Sequence, residues 1–275
     1  MSSRPFLAVA FDLDDTLLRD DLTISSRTMK TLRILAASGV HIIPASGRAQ
    51  LSMKSFVDQI GCSSMYIACN GAEIWDGHTH ALLKAERFSV SLGKEIAAFG
   101  REHACYSQTY DGDTFYYNVE SEWSRRYAAA SMLHGVQVGD LESFIQEPRN
   151  KILMMDDEAK IASMLTEAQA RFAGRASVTC SKPWFLEFNP INATKGIALS
   201  FVTDTLGLTL SDIIAFGDGL NDLSMLKAAG RGVLMANGRD SLRSECDDFC
   251  PSNQEDGVAV YLENVFHSLM TEASN

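Results

Sequence analysis

The first seventy residues alternate short apolar runs with segments whose apolar residues recur at helical spacing. Each run is long enough for one buried strand and too short to cross a membrane: Phe6–Ala10, Val40–Ala45 and Met65–Cys69. Between the first two runs a helix is expected from Ser25 or Ser26 to about Ser38. This strand-helix-strand-helix-strand order is typical of a doubly wound, mainly parallel sheet. The sequence therefore predicts an α/β fold with a Rossmann-like core.

The middle of the chain has a different pattern. Asp111-Gly112 separates two extended runs, which predicts an antiparallel hairpin. Further helices and strands are expected around it, at 92–103, 120–133, 151–155, 157–172, 176–180 and 184–188. After Pro190 the alternation of strands and helices resumes. We therefore expect a core of residues 1–81 plus 189–275 and an inserted α+β cap domain of residues 82–188.

Three carboxylates follow the first predicted strand within four positions: Asp12, Asp14 and Asp15. Clustered like charges at the end of a buried strand repel one another and cost free energy to desolvate. A divalent cation would compensate, because hard cations prefer oxygen ligands. The alternative is a solvated acidic turn or a helix N-terminus that favours negative charge.

Composition restricts the classes of partner. The chain has 275 residues, 46% of them hydrophobic and 21% charged, and a formal net charge of -11, typical of a globular protein. The negative charge argues against nucleic acid and anionic membranes as partners. The six cysteines, Cys62, Cys69, Cys105, Cys180, Cys246 and Cys250, lack metal-ligand spacing. Buried thiols in a reducing cytoplasm are therefore expected.

Four polar stretches fall at predicted strand ends or at a helix start. Taken singly, each has an ordinary structural explanation, such as a helix cap, a solvated lysine or a surface turn. Their order along one chain is harder to explain that way. The stretches are Asp12-Leu13-Asp14-Asp15-Thr16, Ser46-Gly47-Arg48, Thr194-Lys195-Gly196 and Gly217-Asp218-Gly219-Leu220-Asn221-Asp222.

In this order the stretches resemble the four motifs of the haloacid dehalogenase superfamily. The insertion between the second and third motifs, with Asn70-Gly71-Ala72-Glu73-Ile74 ahead of it, resembles the Cof-type branch of phosphatases with a type IIB cap. Two positions depart from the pattern: Asp15 stands where the family often has Gly, and Ser46 where it often has Thr. The serine keeps the hydroxyl group, whereas the extra acid alters the local charge.

The resemblance implies phosphoryl transfer, in which catalysis is mostly positioning and charge neutralisation. Asp12 is expected to be the nucleophile and to form an aspartyl-phosphate. Asp14 is expected to protonate the leaving oxygen and then to deprotonate water, with a pKa raised by neighbouring carboxylates. The groups expected to hold the phosphoryl oxygens are Lys195, Ser46, Gly47 and Asn221.

The resemblance also implies Mg²⁺ as the cofactor. Its expected ligands are the Asp12 carboxylate, the backbone carbonyl of Asp14 and Asp218, with Asp222 close behind. A mobile cap would shelter the phosphorylated intermediate and set specificity. Tyr117, Arg125 and Trp184 are candidate cap residues, although for any one of them an ordinary surface or packing role is more common.

The predicted function is that of a cytoplasmic, Mg²⁺-dependent phosphatase acting on a small phosphorylated metabolite, with a sugar phosphate as the first choice. Two alternatives stay open at this point: a hexose-phosphate phosphomutase and a non-catalytic phosphometabolite-binding protein. We expect a monomer or weak homo-oligomer, without nucleic acid or membrane partners.

Overall fold

The structure is a computed structural model that describes residues 6–61, 63–112, 114–246 and 248–273. Cys62 lies outside the described residues. The strands are β1 (Ala8–Phe11), β2 (His41–Pro44), β3 (Met65–Ala68), β4 (Glu73–Asp76), β5 (Leu82–Ala85), β6 (Tyr106–Asp111), β7 (Thr114–Tyr117), β8 (His134–Gln137), β9 (Ile152–Met155), β10 (Ala176–Thr179), β11 (Phe185–Pro190), β12 (Ile213–Gly217), β13 (Arg231–Met235) and β14 (Asp248–Cys250). The α-helices are α1 (Ser26–Ala37), α2 (Gln50–Ile60), α3 (Val90–Glu102), α4 (Glu122–Ser131), α5 (Leu141–Phe144), α6 (Glu158–Arg171), α7 (Lys195–Leu206), α8 (Leu223–Ala228), α9 (Gly257–Val265) and α10 (His267–Glu272).

The core sheet has the strand order β14-β13-β12-β1-β2, and all neighbouring strands run parallel. Strands β1 and β12 are buried along their whole length, as expected for strands covered on both faces. Leu32 of α1 and Leu262 of α9 pack in one apolar cluster, and Leu199 of α7 and Leu226 of α8 pack in another. The predicted doubly wound core is confirmed.

The expected third strand, β3, has a second pairing that the sequence did not predict. Strand β3 belongs to a three-stranded antiparallel sheet of order β3-β4-β5. It also runs beside β2 through two isolated parallel bridges, Ile42 with Ser63 and Ala45 with Ile67, and Ser46 N donates to Ile67 O at 2.8 Å. The turn at Asn70-Gly71 sends the chain back along β3, so that Ala68 pairs with Glu73. Strand β3 thus lies parallel beside β2, as expected, and also forms an antiparallel hairpin with β4.

The inserted region forms a six-stranded sheet of order β10-β11-β9-β6-β7-β8. The predicted hairpin at Asp111-Gly112 joins β6 to β7 in antiparallel pairing. Strand β8 was not predicted, and it pairs parallel with β7. Helices α3 and α6 pack on this sheet through an apolar cluster that includes Phe99 and Met164. The predicted α/β fold with an inserted α+β cap is therefore confirmed.

The exact limits of the two domains stay a prediction. The predicted cap begins at residue 82, and β5, which also begins there, pairs with β4. At the other end, β11 continues to Pro190, just beyond the predicted limit at residue 188. Both crossings between core and cap therefore run through paired strands.

No disulfide joins the five described cysteines, all of which are buried, in keeping with the sequence prediction. Among the helices of the described ranges, none combines the length and apolar character needed to span a membrane.

Candidate active site

Three of the predicted motifs lie together at one edge of the core sheet. Because β12, β1 and β2 are parallel neighbours, the residues that follow them share the carboxyl edge of the sheet, where ligands bind in open α/β sheets. Asp218 follows β12, Asp12 follows β1 and Ser46 lies two residues beyond β2. Lys195, the first residue of α7, completes the group.

Lys195 connects two of the acidic residues. Its Nζ atom lies 2.8 Å from Asp12 Oδ1 and 2.5 Å from Asp222 Oδ1. The side chain is fully buried. Burial by itself would lower the pKa of Lys195, but Asp12 and Asp222 outweigh it and hold the pKa above its usual value. The ammonium group therefore places a positive charge inside the acidic cluster.

Asp12, Asp218 and Asp222 form the acidic cluster, with one carboxylate oxygen from each lying within 4.8 Å of the others. Asp222 Oδ2 accepts hydrogen bonds of 2.9 Å from the backbone N–H groups of Asp218 and Gly219. The Thr16 hydroxyl donates to Asp218 Oδ1 at 2.9 Å. These hydrogen bonds fix the orientation of the carboxylates.

The positive charge of Lys195 offsets only part of the electrostatic cost of the acidic cluster. Burial, together with the charge of Asp222, raises the pKa of Asp12 to about 8. Burial, with Asp222 and then Asp12, also raises the pKa of Asp218 well above its usual value. Oxygen ligands that repel one another in this way fit a hard divalent cation, which would relieve the repulsion. The residues present therefore could hold a metal ion.

The pKa of Asp14 is shifted in the direction opposite to the expected one. The expected rise in its pKa is wrong for this structure: Arg48 donates to both carboxylate oxygens, Nε to Oδ2 at 2.8 Å and Nη2 to Oδ1 at 2.7 Å. Burial pushes the pKa of Asp14 upward, but the hydrogen bonds and charge of Arg48 outweigh it and lower the pKa. A bidentate guanidinium contact stabilises the ionised carboxylate strongly enough to exceed the cost of burying it. The sequence indicated Arg48 as part of a motif but not as the partner of Asp14.

Ser46, Gly47 and Asn221 line the same cavity as Asp12 and Asp14. Asn221 Nδ2 donates to Asn70 Oδ1 at 3.1 Å, and Asn70 Nδ2 donates to Asn189 Oδ1 at 3.2 Å. Within the described residues the buried Asn221 Oδ1 atom has no hydrogen-bond partner. The structure thus brings three of the four predicted phosphate-binding residues together at the cavity, whereas the fully buried Lys195 does not line it. The sequence did not indicate Asn70 and Asn189 as site residues.

The loop that carries Asn70 packs closely on the start of α7. Gly71 has φ 102°, and a Cβ atom at this position would collide with the backbone carbonyl of Thr194. Only glycine allows this approach without strain. The Asn70-Gly71 segment therefore supports the turn that presents Lys195.

A cavity of about 320 Å³ extends from the acidic cluster into the cap. Four aromatic residues of the cap line it: Trp123, Tyr127, Trp184 and Phe185. Two of them, with Arg126 and Ala130, recur at helical spacing along α4. This periodicity is a signal that sequence reasoning could have used. The volume suits a small metabolite.

The three candidate cap residues have different positions. Trp184 lines the cavity. Tyr117 does not line it, and its hydroxyl donates to Glu120 at 2.6 Å. Arg125 pairs with the same Glu120 at 3.0 Å on the cap surface. Of the three, only Trp184 is in a position to contact a ligand of this cavity.

Several polar contacts join the cap to the core. Lys151 Nζ donates to Gly47 O at 2.8 Å and also pairs with Glu187. Lys182 Nζ lies 3.1 Å from Asp15 Oδ2. The Ser52 hydroxyl donates at 2.6 Å to the backbone carbonyl at the C-terminus of α4. The structure therefore represents a closed arrangement of cap and core.

Comparison with known proteins decides the family. A profile of the haloacid dehalogenase-like hydrolases matches residues 9–262. The chain belongs to the haloacid dehalogenase-like hydrolase family. A Bacillus subtilis relative named 5-amino-6-(5-phospho-D-ribitylamino)uracil phosphatase YitU is 31% identical over 97% of this chain and 99% of its own length. The resemblance stated from the motifs is confirmed, as is the expected enzyme class, a phosphoric monoester hydrolase.

Solved structures of haloacid dehalogenase-like hydrolases share the fold along nearly the whole chain. One from Bacteroides thetaiotaomicron has a TM-score of 0.82 and 28% identity, and the alignment covers 95% of this chain and 100% of that one. The subclass IIB sugar phosphatase BT4131 has a TM-score of 0.81 at 21% identity, over 94% and 98% of the two chains. The expected type IIB architecture is thus confirmed at the level of the fold.

Proposed function

We propose that this haloacid dehalogenase-like hydrolase is a Mg²⁺-dependent phosphatase that hydrolyses a small phosphorylated sugar or polyol through an aspartyl-phosphate on Asp12. One observation carries the proposal: Asp12 lines the cavity while its carboxylate is paired, 2.8 Å away, with the fully buried ammonium group of Lys195. A carboxylate held in this way is oriented for attack on a group that enters the cavity.

Asp12, Asp218 and Asp222 supply carboxylates for the metal ion, and the family resemblance adds the carbonyl of Asp14. When bound, Mg²⁺ would stabilise the negative charge of the transferring phosphoryl group. The chain itself contributes Lys195, whose positive charge lowers the pKa of Asp12 and so offsets part of the effect of burial and of Asp222. Thr16 and the backbone N–H groups of Asp218 and Gly219 hold the other two carboxylates in place.

Asp14 is proposed to move protons in both half-reactions. In this structure its carboxylate is held by Arg48 and its pKa is lowered. That state suits the second half-reaction, in which Asp14 accepts a proton from the attacking water. Protonation of the leaving oxygen in the first half-reaction requires that Arg48 give up at least one of its two hydrogen bonds. Entry of substrate beside Arg48, which lines the cavity, would provide that exchange.

Ser46, Gly47 and Asn221 are proposed to bind the phosphoryl oxygens. Ser46, the first residue of the second motif, is almost fully buried, and Asn221 is held in position by Asn70. An amide group fixed by a neighbouring amide loses little freedom when it binds a ligand, which favours recognition.

The choice of a sugar or polyol phosphate is supported by the cavity and by one relative. Aromatic walls such as Trp123 and Trp184 offer flat apolar surfaces to a ring or a carbon chain. The name of the Bacillus subtilis relative places the phosphate on a ribityl chain. We further propose that residues 82–188 act as the specificity cap of a cytoplasmic monomer or weak homo-oligomer that binds no nucleic acid.

Release of inorganic phosphate from a panel of sugar, polyol and aryl phosphates, with Mg²⁺ or with EDTA, tests the proposal. We expect turnover that EDTA abolishes and that Asp12→Asn reduces to background. Transfer of the phosphoryl group back to a sugar monophosphate, with formation of a sugar bisphosphate, instead of to water would support the phosphomutase alternative. Tight binding without turnover across the panel would contradict the enzyme assignment.

A further inference from the structure

Glu187 and Lys151 form an ion pair in the wall of the cavity, at the junction of cap and core. Glu187 lies on β11 and Lys151 immediately precedes the neighbouring strand β9. Their residues are 1% and 3% exposed, although both line the cavity. Buried ion pairs are uncommon because desolvation of both charges is costly. Neither the motifs nor the proposed reaction requires this one.

The two partners differ in how completely their hydrogen-bonding capacity is used. Lys151 Nζ donates to Gly47 O at 2.8 Å and to Glu187 Oε1. Glu187 Oε2, by contrast, is buried and has no hydrogen-bond partner among the described residues. A buried carboxylate oxygen without a donor is strongly unfavourable, and native structures rarely leave one without a reason. The missing donor is therefore expected from a ligand.

The position of Glu187 indicates which part of a ligand it would meet. A Cβ atom built on Gly47 would lie 3.3 Å from Glu187 Oε1, so the carboxylate is adjacent to the backbone of the second motif. Ser46 and Gly47 are the proposed phosphate-binding residues. A group that reaches Glu187 must therefore belong to the leaving group close to its phosphate, and not to its distal end.

We infer that Glu187, held by Lys151, accepts a hydrogen bond from a hydroxyl group of the leaving group and so selects phosphate esters of sugars and polyols. The inference rests on the proposed phosphatase function and names a specificity-determining residue for it. An ionised carboxylate can only accept hydrogen bonds. An ester without a hydroxyl group would leave Glu187 Oε2 without a hydrogen-bond donor from either ligand or water. Sites that bury a polar atom for a ligand hydroxyl discriminate strongly against ligands that lack it.

A matched pair of substrates isolates this contact. Ribitol 5-phosphate and n-pentyl phosphate have the same carbon chain, but only the first carries hydroxyl groups. For the unmodified protein we expect kcat/KM to favour ribitol 5-phosphate by about 10- to 100-fold, the value of a charge-assisted hydrogen bond. Equal kcat/KM values for the two esters would overturn the inference while leaving the phosphatase function intact. Absence of turnover with every phosphate ester would instead defeat the proposed function.

The variant Glu187→Gln places a hydrogen-bond donor where the carboxylate offers an acceptor to the ligand. Lys151 has donors only, so it must bind the amide oxygen, which leaves the amide NH₂ group at the position of Oε2. We expect the preference for ribitol 5-phosphate over n-pentyl phosphate to fall by about tenfold. An unchanged preference in this variant would contradict the inference. A purely structural role for the ion pair would alter stability but not this ratio.

A second variant guards against loss of folding, because Glu187→Gln leaves the Lys151 charge buried. In the double variant Lys151→Met, Glu187→Met both charges are removed, and apolar replacement of a buried pair is often tolerated. It should show the same loss of preference. Glu102→Gln is the matched control, since Glu102 forms an ion pair with Arg171 on the cap surface away from the cavity. Its preference should stay within about twofold of the unmodified protein.

Discussion

The guanidinium group of Arg48 holds both oxygens of the Asp14 carboxylate, at 2.8 and 2.7 Å. This contact joins the second motif to the first, and Arg48 also reaches the backbone carbonyl of Ala130 in the cap at 3.4 Å. One residue therefore links the proposed acid–base group to the cap.

Replacement of Arg48 is expected to impair the second half-reaction most. Arg48→Met frees the Asp14 side chain, so the group that activates water is no longer oriented. We expect kcat to fall by about 10- to 100-fold, with the aspartyl-phosphate accumulating during turnover. Rapid-quench kinetics with an aryl phosphate would show this as a burst of alcohol release. A loss of kcat without a burst would assign Arg48 to the first half-reaction instead.

Removal of Lys195 is expected to be severe for both activity and stability. Lys195→Met deletes the ammonium group between Asp12 and Asp222, and the two buried carboxylates then repel each other. We expect a loss of about 10²–10³ in kcat and a decrease of about 3–5 kcal/mol in the free energy of unfolding. Phosphate release and urea denaturation measure the two effects.

The control for this variant is Lys54→Met, which removes a lysine that pairs with Asp58 on the surface of α2. Its free energy of unfolding should change by less than about 1 kcal/mol. If Lys195→Met kept near-normal activity, the proposed charge arrangement at Asp12 would be wrong.

Binding of Mg²⁺ is expected to stabilise the folded protein through the acidic cluster. The ion relieves repulsion among Asp12, Asp218 and Asp222, so the melting temperature should rise with Mg²⁺ concentration. At 100 times the dissociation constant the gain is about 2.7 kcal/mol. Asp218→Ala should weaken the effect, because it removes one of the carboxylates. Scanning calorimetry measures it without reference to activity, and an equal Mg²⁺ shift in both proteins would place the ion elsewhere.

Asp15 occupies a backbone conformation that explains why a glycine is common at this position of the motif. Its φ is 57°, in the left-handed region, where Asp and Asn are tolerated better than most residues. Asp15→Ala is expected to cost about 1–2 kcal/mol of stability. Asp15→Asn should cost less, because Asn tolerates this conformation. The difference between their free energies of unfolding tests this explanation, and an equal cost would show that the loss comes from the Lys182 contact.

Much of the core could be predicted because its signals are local. Strands such as β1 and β12 are continuous apolar runs, and Ser25 caps α1 by accepting from Thr28 N at 3.0 Å. The convergence of Asp12, Ser46, Lys195 and Asp218 also followed, since parallel strands share a carboxyl edge. These features depend on residue type and order more than on the packing of distant segments.

Other elements could not be predicted because their signals are weak or depend on tertiary packing. Strand β8 (His134–Gln137) is polar and partly exposed, and it forms only by pairing with β7. The C-terminal helical segment is divided into α9 and α10 at Phe266, whose backbone has φ -107° and ψ 32° and whose side chain is buried. Long-range pairing of Glu187 with Lys151 depends on the register of β9 and β11. The fall in the Asp14 pKa likewise depends on a contact across 34 residues.

The central claim is that the phosphoryl group passes through the carboxylate of Asp12. Borohydride added during turnover reduces an aspartyl-phosphate to homoserine, and peptide mass spectrometry then identifies the reduced residue. We predict homoserine at position 12 in the unmodified protein, in the presence of both Mg²⁺ and substrate, and none in Asp12→Asn. Steady release of phosphate with Asp12 left unreduced, or with homoserine formed at another aspartate, would contradict the account.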